Sequence, residues 1–104
     1  MTETPHDGML PIHPGEILLE DVLIPLGLSP EALAIAFHVS DAQLTNVLRA
    51  ESPITVDLAL RLARYLGTTP DLWVRLQVSY DLKRAAAAHG KKIAREVKPR
   101  EAAA

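Results

Sequence analysis

The sequence predicts an all-α fold, a compact five-helix domain containing a helix-turn-helix, and three observations lead there. Apolar residues recur three and four apart, and no run alternates as a half-buried strand would. Four hydroxyl residues stand where they can cap a helix, at Ser29-Pro30-Glu31, Ser40-Asp41, Thr55-Val56-Asp57 and Thr69-Pro70-Asp71, and His13 precedes Pro14 at a fifth start. Proline and acids suit these first turns, where N–H groups lack helical partners and the helix dipole is positive. Between the starts, Pro25, Pro53 and Gly67 break the chain.

Residues 1–12, with Pro5, Gly8 and Pro11, read as a flexible arm. Pro14 opens the first helix, whose apolar side is Ile17, Leu18 and Val22. It is expected to fail near Pro25, whose ring removes a donor and restricts the residue before it. Ser29 caps a short second helix with Leu33, Ala34 and Phe37 inward. Ser40-Asp41-Ala42-Gln43 reads as a capping box, with Gln43 reaching back to the cap. The third helix that follows turns Leu44, Val47 and Leu48 inward and Asp41, Ala42, Thr45, Asn46 and Arg49 outward.

Thr55 caps the fourth helix, with an expected stripe of Val56, Ala59, Leu60 and Ala63, and Asp57 stands four residues before Arg61 in the favourable order. Gly67 closes it. Thr69 starts the fifth helix, bearing Leu72, Trp73, Leu76 and Tyr80, with a run through Ala85–Ala88 to an expected stop near Gly90. Trp73 is expected in the core, a partner contact being the alternative. The folded domain is therefore placed at 13–90, and 91–104 is expected to be a basic, disordered tail.

A length of 104 residues, 48% hydrophobic and 23% charged, fits one folded domain with a modest core. The absence of cysteine excludes disulfides, thiolate zinc sites and a cysteine nucleophile, and fits a reducing, cytoplasmic setting. His6, His13, His38 and His89 are too scattered for a local metal motif, and no nucleophile elbow or glycine-rich phosphate loop is present. No catalysis, cofactor or metal is expected. Neither a signal peptide nor a membrane-spanning stretch is read. The net charge of −2 divides unevenly: residues 1–82 carry four basic and eleven acidic side chains, a charge of −7, and residues 83–104 carry seven basic and two acidic, +5. The segment holding Lys83, Arg84, Lys91, Lys92, Arg95, Lys98 and Arg100 reads as a solvated tail, with contacts to DNA backbone, RNA or the acidic body as alternatives.

The second and third helices are joined by about four residues, Phe37-His38-Val39-Ser40, the length of a helix-turn-helix connection. In that motif the second helix enters the major groove. Ser40, Gln43, Thr45 and Asn46 have the donors and acceptors to meet base edges, and Arg49 suits a phosphate. A plain helical hairpin with a polar face fits the pattern equally well.

The run Ile12-His13-Pro14-Gly15-Glu16-Ile17-Leu18 resembles the opening of HigA-type antitoxins, helix-turn-helix proteins of the Xre superfamily. So do Pro25-Leu26-Gly27-Leu28-Ser29, Thr55-Val56-Asp57-Leu58-Ala59-Leu60-Arg61-Leu62-Ala63, Gly67-Thr68-Thr69-Pro70-Asp71-Leu72-Trp73, and Gln77 with Tyr80-Asp81-Leu82. The resemblance spans roughly residues 11–83 with its spacing preserved. It implies a lambda-repressor-like domain that forms a homodimer, neutralises a cognate HigB/RelE-like mRNA-cleaving toxin, and binds double-stranded operator DNA to repress its own operon. Carried over by position, the DNA contacts fall on Ser40, Ala42, Gln43, Thr45, Asn46 and Arg49.

The chain also departs from the family pattern. His38 stands where the turn usually has glycine, and Asp41, Gln43, Ala50, Glu51 and Ser52 stand where basic residues and a Gly-Lys-Arg-like stretch are common. Fewer cations predict weaker, less salt-dependent DNA binding. Two other readings stay open: a stand-alone repressor without a toxin, and an interaction module whose DNA binding has decayed.

Overall fold

The computed structural model describes residues 11–101. Among them are five helices and no strand. The arm expected at 1–12 lies almost wholly outside the described residues. Helix α1 covers residues 14–26, starting as an α-turn at Pro14–Ile17, widening to a π-type segment at Leu18–Leu23 and closing at Ile24–Leu26. Helix α2 is Pro30–Phe37, α3 Asp41–Leu48, α4 Val56–Leu66 and α5 Pro70–Glu96.

The starts form where the capping residues predicted them. Ser29, Ser40 and Thr55 accept the N–H groups of Ala32, Gln43 and Leu58 at 3.0–3.1 Å. Thr69 adopts the extended cap conformation with no side-chain bond. Its neighbour Thr68 instead accepts the Trp73 indole N–H at 3.3 Å.

The first helix ends near Pro25 as expected, running one residue past it to Leu26 and stopping at Gly27 in the left-handed conformation, whereas two other expectations are corrected. In the wide segment the Ile24 N–H bonds five residues back, to Leu19. That local opening of the ladder accommodates a ring with no donor, which would otherwise crowd the carbonyl four residues earlier. In α4 the buried set is Leu58, Ala59, Leu62 and Ala63, while Val56 and Leu60 are 64% and 54% exposed. Asp57, Arg61 and Arg64 form the polar face of this helix, and the apolar arc opposite them is wide; packing buries the part carrying Leu58 and Leu62 and leaves Val56 and Leu60 on the flank beside Arg64. The fifth helix passes Gly90 and ends at Glu96. A glycine inside a helix costs only about 1 kcal/mol, and this one lies between helix-favouring alanines and lysines.

The core gathers Leu18, Leu23, Leu33, Phe37, Leu44, Leu58, Leu62 and Trp73, all at most 2% exposed. Trp73 is thus a core residue. At the crossing of α2 and α3, Ala34 is buried and Val39 half-buried, with Leu44 and Val47 completing the wedge. The start of α1 leans on the end of α3, where Gly15 meets the carbonyl of Val47 closely enough that a Cβ would overlap it.

Candidate nucleic-acid interface

Helix α3 is short and held from several sides. Leu44, Val47 and Leu48 fix its inner face, and Ser40 caps its start. Its opposite face then has no choice but to look outward. Ala42, Thr45, Asn46 and Arg49 follow one another at spacings of three, one and three, so they form a single strip, with Gln43 on its edge. All are exposed except Thr45, which is half-buried. Ser40 stands at the strip's N-terminal end, its hydroxyl engaged with the Gln43 N–H at 3.0 Å. The reciprocal bond of a capping box, from the Gln43 side chain, is not present among the described residues, nor is any other bond of that amide.

Both ends of the helix-turn-helix close in the same way. His38 sits in the left-handed region at φ 58°, and Val39 N–H bonds the Ala34 carbonyl at 3.0 Å. Ala50 sits there at φ 64°, and Glu51 N–H bonds the Asn46 carbonyl at 2.8 Å. These six-to-one bonds satisfy carbonyls that a helix end leaves open. Glycine is the usual occupant of such positions; here histidine and alanine hold them at some steric cost.

Several residues that set this geometry were not picked out as supports by sequence reasoning. Arg61, besides pairing with Asp57 at 2.7 Å, donates from Nη1 to the Phe37 carbonyl at 2.7 Å and so ties α4 to the end of α2. The Asp57 carboxylate holds the Arg61 pKa above its ordinary value. Gln77 is buried, accepts the Ile54 N–H at 2.8 Å and donates to Asp81 at 3.0 Å, which anchors the segment after α3 to α5. His13, 3% exposed, caps α1 through Nδ1, accepting the Gly15 N–H at 2.8 Å, and its ring meets Tyr80 edge-on at 4.8 Å. Burial lowers its pKa below 6.5, against the raising effects of the Ser52 backbone, Glu16 and Asp81. A His-Pro pair carries a capping signal, but nothing local tells that the ring is buried. Among the described residues no three His, Asp or Glu side chains are grouped to hold a metal ion.

The strip offers amide, hydroxyl and one guanidinium group on a narrow helix, the chemistry of base-edge and phosphate contact. Its only cation is Arg49, and Asp41 and Glu51 flank it.

Comparison with known proteins agrees with that geometry. A helix-turn-helix family profile matches residues 19–73. The chain is 51% identical over 74 residues to virulence-associated protein I of Dichelobacter nodosus, covering 71% of this chain and 68% of that protein. It is 44% identical to the Pseudomonas aeruginosa antitoxin HigA solved with the higBA promoter, with a TM-score of 0.84 over 86% of this chain and 97% of that one. Antitoxin GraA in complex with its operator superposes with a TM-score of 0.86 at 40% identity, covering 98% and 100% of the two chains.

Proposed function

The chain belongs to the helix-turn-helix family that includes the HigA-type antitoxins, and from that premise we propose that it is an antitoxin that binds operator DNA. It acts as a homodimer in the cytoplasm, represses its own operon, and binds and neutralises a HigB/RelE-like mRNA-cleaving toxin. The observation that carries the DNA half of this reading is the outward strip of α3, braced by α1, α2 and the cap at Ser40. Ser40, Ala42, Gln43, Thr45, Asn46 and Arg49 form the contact surface. Gln43 and Asn46 read bases, as amides pair bidentately with adenine, and Ala42 and the Thr45 methyl suit a thymine methyl group. Arg49 and the N–H groups at the start of α3 hold phosphates. Two such helices on a two-fold axis read half-sites about 34 Å apart.

Titration of the protein on its own promoter tests this directly. The pair Gln43→Ala and Asn46→Ala is expected to erase the preference for operator over random duplex, since each bidentate amide–adenine pairing is worth about 1–3 kcal/mol of discrimination. Arg49→Ala is expected to weaken all duplexes alike and to lower the salt slope by roughly one unit per protomer. A wild-type protein that protects no promoter sequence at low salt rejects operator binding. Co-expression with the toxin of the neighbouring reading frame tests the other half: rescued growth supports neutralisation, and unrelieved toxicity leaves a repressor alone.

A further inference from the structure

The cations missing from α3 are present elsewhere: seven of the eleven Lys and Arg residues lie between 83 and 100. We propose that the outer half of α5 is a second DNA-contact site, a ridge of Arg84, Lys91 and Arg95 that grips phosphates beyond the groove entered by α3. The proposal rests on the operator-binding reading above and adds a surface to it.

The placement of the ridge carries the inference. Trp73, Gln77, Tyr80, Arg84, Ala88, Lys91 and Arg95 follow at spacings of four and three, so they share one face of a continuous helix. The inner part of that face is packed against the body. Gln77 clasps Ile54, Tyr80 meets His13 edge-on, and Arg84 lines the same cleft as residues 50–53, the segment that leaves the end of α3. Where the body stops, the face continues as exposed cations. The ridge therefore begins beside the C-terminal end of α3, next to the segment that follows Arg49. Arg84 is steadied there, donating to the Tyr80 hydroxyl at 3.2 Å with its guanidinium 5.5 Å from the ring centroid. From Arg84 to Arg95 a helix rises about 16 Å, the length of about five base pairs at 3.4 Å each.

Two features favour a polyanion over a protein as the occupant. The ridge offers charge and almost no apolar area, whereas Val78, Leu82 and Ile93, each more than half exposed, lie on the opposite side of the helix. Lys91 and Arg95 are also four apart, where like charges repel and cost helix stability. A phosphate backbone relieves that repulsion. Asp81, which accepts from the neutral Gln77 amide and keeps its charge, and Glu51 line the same cleft as Arg84, so the inner end of the ridge is partly offset. Lys91 and Arg95 lie one turn or more beyond those acids, and Glu96 is turned about 100° away from Arg95 around the helix.

The test is a salt series of titrations of the full chain on its promoter duplex, comparing wild type with K91Q/R95Q. Both positions are exposed and glutamine keeps the helix, so the fold is retained. Removing two cations per protomer, four per dimer, is expected to lower the slope of log K against log salt by about 3–4 and to weaken low-salt binding by more than tenfold. K83Q, about 100° around the helix from the ridge, is expected to leave the slope unchanged. An unchanged slope for K91Q/R95Q overturns the inference and leaves operator binding intact. An equal effect per charge from K83Q also overturns it, since net charge rather than the ridge would then act. So does a slope change accompanied by dissociation of the free dimer, which would place the ridge against the partner's acidic body. Failure of the wild type to bind any promoter duplex rejects the operator reading itself.

Discussion

At Gly15 the chain leaves no space for a methyl group, because the Cβ of any other residue would overlap the carbonyl of Val47. The close approach joins the first turn of α1 to the last turn of α3, so it sets how far the contact helix stands from the body. Gly15→Ala is expected to cost about 2 kcal/mol, as overpacking in a tight core does, and to lower the melting temperature by about 10 °C. A circular-dichroism melt unchanged by the substitution would show the approach to be looser. His13, two residues earlier, gives the domain a pH dependence. Its pKa is lowered mainly by burial, so the unfolded chain binds a proton at a pH where the folded one does not. Stability therefore falls as the pH drops through about 6.5, the ordinary histidine value, and the loss levels off below the depressed folded value. Protonation at Nδ1 also removes the acceptor for Gly15 N–H. His13→Asn keeps a capping oxygen without the titration. Its melting temperature is expected to fall less than that of the wild type between pH 7.5 and 5.5, and identical slopes would exonerate His13.

At the level of the elements, the helix starts were legible because each is written locally. Ser29, Ser40 and Thr55 are caps whose bonds span three residues, and no distant partner is needed to read them. The inward side of α3 was legible for the same reason, its periodicity admitting a single apolar face, whereas α2 is apolar nearly all round and packing buries Leu33, Ala34 and Phe37 while leaving Ile35 exposed. Where local rules offered two answers, tertiary packing decided. Val56 and Leu60 lie at one edge of the wide apolar arc of α4 and Leu58 at the other, and the position of the neighbouring helices buries Leu58 and Leu62 while leaving Val56 and Leu60 out. Pro25 and Gly90 are breakers by propensity, yet a wide turn absorbs the first and strong flanking helix formers the second. The outward strip of the candidate site was readable from spacing, whereas its supports Arg61 and Gln77 were not, since each bonds a residue more than twenty positions away. Gln77 illustrates the cost of such a long-range tie. Gln77→Ala is expected to leave the Ile54 N–H without its partner in a buried setting, a destabilisation of about 1–3 kcal/mol. Faster amide exchange at Ile54 should accompany the lower melting temperature; protection equal to wild type would mean that another acceptor takes over.

For the whole molecule, the charge separation assigns the two proposed partners to different ends. Residues 1–82 carry −7 and residues 83–104 carry +5, on a particle 56 Å long in which α5 projects beyond the body. An operator is attracted to the α5 ridge and repelled by the acidic body, whose charge opposes DNA binding even along α3, where Arg49 only balances Asp41. A toxin that cleaves mRNA must hold a polyanion and so presents a basic surface, to which the acidic body is complementary. Complementary charge acts chiefly on the association rate, through a field that salt screens over about 8–10 Å. The association rate with the proposed toxin partner, followed by stopped-flow fluorescence, is therefore expected to fall by about tenfold or more as salt rises from about 50 to about 500 mM. The K91Q/R95Q protein removes positive charge that would repel such a toxin, so it should associate at an equal or higher rate while losing operator affinity. Opposite responses of the two partners to one variant are the signature of a dipolar regulator. A toxin association rate insensitive to salt, or lowered by that variant, would show that the acidic body is not the surface that draws the toxin in.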